Sequence, residues 1–353
     1  MIRAQIVGAT GYGGLGMTEM LLRHPEIELT SLLAKSDVGK PLSSFFPHLR
    51  GFCDAVVMDA TPEIIGENVD LVIFATPDRI GMSYAPAVLA KGARVLDYSG
   101  DFRFANPEKY AEYAKRHPNT VGKPHACPEL LAQAVYGVPE LNRERIKGAK
   151  LVGNPGCFAI AMILGLAPAL QGGLVEPRSI ICDGKTGVSG AGKKASATHH
   201  FPERNENTTP YRVAAHQHEI EVTQTLSGIA GETVTMTFVP HVVPATRGIL
   251  ITAYAQLKPG ASASAVREAY ETFYKGEPFV RVLPAGSFAT PKSVTASNFC
   301  DISLSVDEGN GRLVAISAID NLVKGQAGVA LENINLMFGF PEKMGLDRAP
   351  IYP

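Results

Sequence analysis

The sequence predicts an α/β protein of two domains: a doubly wound parallel sheet over residues 1–150, then an α+β domain over residues 151–325. Three observations lead there. The chain has 353 residues, and at roughly 100 to 200 residues per domain that length suggests two. Between Ile2 and Asp97, β-prone runs alternate with helical ones, the pattern of a parallel sheet with crossover helices. Beyond residue 150 the apolar runs become longer and richer in Thr, Val and Ile, which predicts a mostly antiparallel second sheet.

Taken in order, residues 2–7 are β-prone and end in glycines, 15–23 have helical apolar spacing, and 27–33 are β-prone again, giving a βαβ unit. Buried-strand patterns follow at 71–75 and 94–97. The Pro- and Gly-punctuated stretch between them holds a helix around 83–91. In the second domain, strands are predicted at 179–182, 233–239, 249–256 and 313–318, and helices at 158–170 and 263–274. Residues 326–338 again have helical spacing and are expected to pack back on the first domain.

Composition narrows the function classes. With 45% hydrophobic and 19% charged residues the chain is neither disordered nor a small stapled module. A formal net charge of -1 gives no global field for nucleic acid or an anionic membrane, so any cations that hold an anionic ligand must be local. Zero Trp and 7% aromatic residues argue against base-stacking surfaces. Five widely spaced Cys suggest neither a disulfide framework nor a metal site. With no signal-peptide pattern and no run of 18 apolar residues, a cytoplasmic protein with free thiols is expected.

Gly8-Ala9-Thr10-Gly11-Tyr12-Gly13-Gly14 lies between a strand and a helix, where glycines let backbone approach a pyrophosphate and the helix N-terminus attracts its charge. An acid at the end of the second strand would select NAD. The segment Leu33-Ala34-Lys35-Ser36 has none there, while Lys35 offers a cation and Ser36 a hydroxyl, so NADP is favoured. Asp37 qualifies that preference, and a solvated loop lysine is the competing reading of Lys35.

Asn154-Pro155-Gly156-Cys157-Phe158 places Cys157 at the start of a long apolar helix, where the macrodipole and open N–H groups stabilise a thiolate. Cys53, Cys182 and Cys300 read as buried structural thiols, and Cys127 as incidental. A cysteine nucleophile together with a nicotinamide implies acyl chemistry at the aldehyde level, through a thioester. His216-Gln217-His218-Glu219-Ile220-Glu221 is the densest group of residues able to move protons near neutral pH. If a helix begins near His218, Glu221 lies one turn on and can orient its imidazole. His218 is therefore favoured as acid/base, with His216 close behind; a zinc site lacks a third ligand at a recognisable spacing. Arg103, the glycine-rich loop Thr186-Gly187-Val188-Ser189-Gly190-Ala191-Gly192-Lys193, and Arg247 are candidates to hold anionic groups.

With these residues in view, the chain resembles the N-acetyl-γ-glutamyl-phosphate reductases, relatives of aspartate-semialdehyde dehydrogenase. The likeness runs nearly end to end, through the Gly8 loop, Asp97-Tyr98-Ser99-Gly100-Asp101-Phe102-Arg103, Tyr136-Gly137-Val138-Pro139-Glu140-Leu141, Asn154-Pro155-Gly156-Cys157, the Ser189-Gly190-Ala191-Gly192 loop, His216-Gln217-His218, Pro244-Ala245-Thr246-Arg247-Gly248 and Asp320-Asn321-Leu322-Val323-Lys324-Gly325. The resemblance implies a Rossmann domain completed by residues 326–353 and a glyceraldehyde-3-phosphate-dehydrogenase-like catalytic and dimerisation domain. It also implies NADP(H), an acyl phosphate substrate, phosphate release, and a homodimer or homotetramer. By position it implies Cys157 as nucleophile, His216 and His218 as the acid/base region and Asn321 near the nicotinamide. On the same footing, Ser189 and Gly190 are expected at the cofactor, and Arg103, Asn154, Ser189, Glu221 and Arg247 at the substrate. Departures are Gly100 where alanine is usual, Lys193 where arginine is common, and Glu219-Ile220 in place of Thr-Pro. The expected reaction is reduction of N-acetylglutamyl phosphate to the semialdehyde. Carrier-linked aminoadipyl phosphate and aspartyl phosphate are the alternative substrates, and a nucleotide sensor without chemistry is the alternative class.

Overall fold

Short runs of Val, Ile and Leu, buried on both faces, build the first sheet. The computed structural model describes residues 1–118 and 120–352. In it β1 (Ile2–Val7), β2 (Ile27–Ala34), β3 (Met58–Asp59), β4 (Leu71–Phe74), β5 (Arg94–Asp97), β6 (Val135–Tyr136) and β7 (Leu151–Gly153) lie in the order β3-β2-β1-β4-β5-β7-β6. Every pairing of this sheet among the described residues is parallel. The order reverses between β1 and β4, the switch point at which such sheets bind ligands beyond their carboxyl ends. The glycine loop leaves β1 at that point.

The first helix, Tyr12–Leu21, begins three residues earlier than the apolar spacing predicted, inside the glycine loop, with Gly11 as its N-cap. Helical spacing cannot register residues without side chains, so the start was invisible to it. The helix Gly81–Ala90 is capped by a buried carboxylate: Asp101 accepts the N–H groups of Arg79 at 2.9 Å and Met82 at 3.0 Å. Burial, chiefly, pushes the Asp101 carboxyl up to about 6. At the end of β5 the fully buried Asp97 accepts the Ser99 N–H at 2.8 Å, and burial with the charge of Asp101 holds its carboxyl well above the usual range.

The chain divides into two compact units, Met1–Gly156 with Gln326–Arg348, and Cys157–Gly325 with Ala349–Pro353. The helix Gly328–Phe338 belongs to the first, with polar residues as its fasteners. Asn335 meets His24 at 3.0 Å, and Asn333 donates to the Gly137 carbonyl at 2.9 Å. Residues 349–352, expected with the first domain, group with the second instead, because the Ile351 N–H donates to the Thr295 carbonyl at 2.9 Å.

In the second unit β8 (Ile180–Thr186), β9 (Thr209–Pro210), β10 (Met236–Val242), β11 (Ile249–Gln256), β12 (Val280–Val282), β13 (Cys300–Asp307) and β14 (Arg312–Ile319) form a mixed sheet, β12-β13-β14-β11-β8-β10-β9. The β8/β10 and β12/β13 pairs are parallel and the others antiparallel. Against it packs the helix Cys157–Gln171, buried without interruption from Phe158 to Leu170. Pro168 lies inside this helix and has no N–H for the carbonyl of Leu164 four residues back. The Tyr274 hydroxyl donates to that carbonyl instead. Ser317 of β14 donates to the Ala161 carbonyl at 2.8 Å, fixing the same helix to the sheet.

Candidate active site

The loop after β1 is shaped by what its glycines lack. Gly8 has φ +92, and a Cβ there would fall 2.4 Å from the Ala75 carbonyl oxygen. A Cβ on Gly14 would fall 2.4 Å from the Gly8 oxygen, so helix and loop touch backbone to backbone. No side chain caps the helix Tyr12–Leu21 and no acid stands in its first turn, which leaves its first N–H groups for an anion. Thr10 and Tyr12 are half-buried beside them, and Gly13 packs on the Tyr98 ring. This cradle fits a dinucleotide pyrophosphate.

The end of β2 gains a neighbour from the next strand. The strand itself ends without an acid, but β3 supplies one: Asp59, in register with Ala34, accepts from Lys35 Nζ at 3.1 Å. Both side chains are largely exposed, so the pair contributes little and opens readily to a phosphate. Ser36 donates to Asp37, whose φ of 65 is left-handed.

Arg103 and Asn154 lie inside the first unit. Arg103 Nε–H donates to the Asn154 carbonyl at 2.7 Å and its Nη2 to the Tyr98 carbonyl, with 7% of the residue exposed. Asn154 donates to the Gln326 carbonyl at 3.1 Å and accepts from Asn333 at 3.2 Å. Both fasten backbone and neighbouring side chains from within the first unit.

Cys157 opens its helix and is half-buried, whereas the other four cysteines are buried. Burial pushes the Cys127 thiol up to about 12 and raises that of Cys182 further. The next residue, Phe158, presents its ring to His216 at 5.8 Å and His218 at 6.4 Å. His216 is 3% exposed, enclosed edge-on by Phe158, Tyr211 and Phe238, and its Nδ1 accepts the His218 N–H at 3.2 Å. His218 opens the helix His218–Ala230, and its Nε2 lies 3.8 Å from Oε1 of the fully buried Glu221. The Glu221 carboxylate stands beside His218, the more exposed of the two imidazoles. Tyr211, which the sequence reading passed over in a polar loop, is also part of this cluster. Burial, and then the charge of Cys157, push its phenol up.

The glycine-rich loop after β8 is laced to the loop before β11. Gly187, Val188 and Ser189 donate their N–H groups to the carbonyls of Gly248, Ala245 and Thr246 at 3.0, 2.9 and 3.1 Å. Asn321 joins both strips: it donates to Ser189 Oγ at 2.9 Å and accepts the Gly248 N–H at 2.7 Å. Gly190 packs near the Thr186 hydroxyl, and Lys193 stands exposed beyond. Arg247 is 41% exposed, with Nη1 3.5 Å from the buried Asp320 carboxylate, so it is oriented at one end and open at the other. Among the described residues no three His, Cys, Asp or Glu side chains are grouped to hold a metal ion.

Comparison with known proteins gives this arrangement its context. Residues 3–149 match the family described as semialdehyde dehydrogenase, NAD binding domain, and residues 157–321 match semialdehyde dehydrogenase, dimerisation domain. N-acetyl-gamma-glutamyl-phosphate reductases from Geobacter sp. (strain M21) and Symbiobacterium thermophilum are 45% and 47% identical over 354 residues, covering all of this chain and 100% and 99% of those proteins. The chain belongs to the N-acetyl-gamma-glutamyl-phosphate reductase family. Aspartate semialdehyde dehydrogenase II from Vibrio cholerae, complexed with ASA, shares the fold at TM-score 0.72 and 18% identity over 96% of this chain and 98% of that one. Aspartate semialdehyde dehydrogenase with NADP from Candida albicans does so at TM-score 0.64 and 15% identity, over 96% and 98% of the two chains. Membership in the reductase family makes the chain an oxidoreductase with a nicotinamide cofactor. No helix among the described residues is long and apolar enough to cross a membrane.

Proposed function

We propose that the chain reduces N-acetyl-L-glutamyl 5-phosphate to N-acetyl-L-glutamate 5-semialdehyde with NADPH, releasing phosphate, in arginine biosynthesis in the cytoplasm. The observation that carries this reading is full-length identity to reductases of that name, joined to a half-exposed cysteine at a helix start whose chain neighbour Phe158 packs against two histidines.

The cradle at Gly8, Gly11, Gly13 and Gly14 would hold the pyrophosphate, with Thr10 and Tyr12 at its rim and Lys35 and Ser36 toward the 2′-phosphate. Bound there, the nicotinamide supplies hydride. His218 takes the Cys157 proton, and the thiolate attacks the acyl carbon. The bond to phosphate breaks, the imidazolium proton goes to the leaving phosphate, and a thioester remains on Cys157. Reprotonated from solvent, the imidazolium would protonate the hemithioacetal oxygen formed once hydride is added to the thioester carbon. It takes the proton back as the carbonyl reforms and the thiolate leaves. Glu221 orients the imidazole, His216 packs beside it, and Arg247 with the Ser189 loop receives the substrate's anionic groups.

The second unit has one open sheet face, where Ile181 and Tyr254 are register partners at 47% and 36% exposure. Its family is described as a dimerisation domain, and a homodimer, alone or paired into a tetramer, would cover that face.

The test is phosphate-dependent reduction of NADP with N-acetylglutamate semialdehyde. We expect turnover with this soluble substrate and loss of it in Cys157→Ser, with NADPH affinity unchanged. Full activity of Cys157→Ser would reject the assignment.

A further inference from the structure

The turn at residues 320–325 touches three parts of the second-unit site: Arg247, the glycine loop with the Gly248 strip, and Cys157. Asp320 is fully buried, accepts the N–H groups of Ala296 at 2.7 Å and Leu322 at 2.8 Å, and orients Arg247. Asn321 bridges the Ser189 loop and the Gly248 strip with the two ends of its amide. The Gly325 N–H donates to the Asp320 carbonyl, five residues back, at 3.0 Å, where the turn runs into the π-helix Val323–Ala327. A Cβ on Gly325 would fall 2.9 Å from Cys157 Cβ and 3.4 Å from its Cα.

Gly325 is not in the left-handed region, so its backbone would accept alanine; what forbids a side chain is the nucleophile itself. The obstructing atom is the Cβ that carries the thiol, not the tip of a flexible chain. Three segments far apart in sequence therefore take their positions from one buried turn.

We propose that the turn 320–325 is the positioning element of the second unit, holding Cys157, the glycine loop 187–190 and Arg247 in one frame, with Gly325 as the seat of the nucleophile. This rests on the reading of Cys157 as nucleophile. Gly325, Asn321 and Asp320 act through other groups and are positioning residues. On this account Asn321 aligns the Ser189 loop. Both hydrogen bonds of its amide run to the protein, to Ser189 Oγ and from the Gly248 N–H.

The test is Gly325→Ala, read by kcat, by NADPH affinity, and by the pH profile of Cys157 alkylation with iodoacetamide. A displacement of about 1 Å costs on the order of 10²-fold in rate, so kcat should fall by roughly 10- to 100-fold. The alkylation profile should shift and NADPH affinity stay unchanged. A kcat and alkylation profile both equal to those of the unaltered protein would overturn the proposal. Should Gly325→Ala not fold, the pair Asn321→Ala and Ser189→Ala decides: the double variant should lose no more kcat/KM than Asn321→Ala alone, and multiplicative losses would overturn the shared frame. Failure of the underlying reading looks different, because Cys157→Ser would then keep its turnover whatever Gly325→Ala does.

Discussion

Five cysteines of the same chemistry sit in different surroundings here. Cys157 is half-buried at a helix start, while burial raises the thiols of Cys127 and Cys182. The Pro-Gly turn before Cys157 and the helical run after it were legible in the sequence. The Gly325 seat was not, since it depends on a neighbour more than 50 residues away, and Tyr211 was hidden in a polar loop with no periodic pattern. Gly100, where the sequence departs from its family, has a residue-level explanation. A Cβ there would fall 2.3 Å from Tyr113 Cζ, so this chain has given the alanine's space to a tyrosine ring. Gly100→Ala should cost about 1 to 3 kcal/mol by overpacking, measured by urea denaturation. In a Tyr113→Ala background the cost should vanish, and an equal cost in both backgrounds would refute the explanation.

At the scale of elements, the alternation of strands and helices gave the parallel sheet readily, because buried parallel strands are plain apolar runs. Polar alternation hid more. β8 runs on through Asp183 and Lys185, which face away from the core, so its apolar signal stopped at Cys182. β13 was missed because Asp301 and Ser303 interrupt its apolar residues; in the fold Asp301 is paired with Arg281 and Ser303 accepts the Ala289 N–H. The predicted helix 158–170 did appear, with Pro168 inside it, because Tyr274 satisfies the orphaned Leu164 carbonyl. Tyr274→Phe leaves that carbonyl unpaired in the core and should cost about 1 to 3 kcal/mol. An unchanged urea midpoint would show that the hydroxyl is dispensable.

At the scale of the whole molecule, the net charge of -1 placed every anion-binding cation under local control, and Lys35 and Arg247 are each found beside a carboxylate. Stability carries a pH signature of its own. His24 Nδ1 accepts the Glu26 N–H while Nε2 meets Asn335, an arrangement that needs a neutral ring, and burial lowers its pKa. His125 is held in the same way by Asp101 and Cys127, and burial lowers its pKa too. For a lowered imidazole the stabilisation is complete above about 6.5, the unfolded value, and is lost as pH falls through the folded one. These two imidazoles therefore weaken the fold below that pH, against the opposite contribution of the raised Asp97 and Asp101 carboxyls, and His24→Asn should make the thermal midpoint fall less on the acid side. An identical fall would remove His24 from the account. The central claim is that Cys157 carries the acyl group. Mass spectrometry of the protein incubated with N-acetylglutamate semialdehyde and NADP, without phosphate, tests it most directly. An N-acetylglutamyl adduct on the peptide containing Cys157 is the predicted result, and an adduct on another cysteine, or none during active NADP reduction, would contradict it.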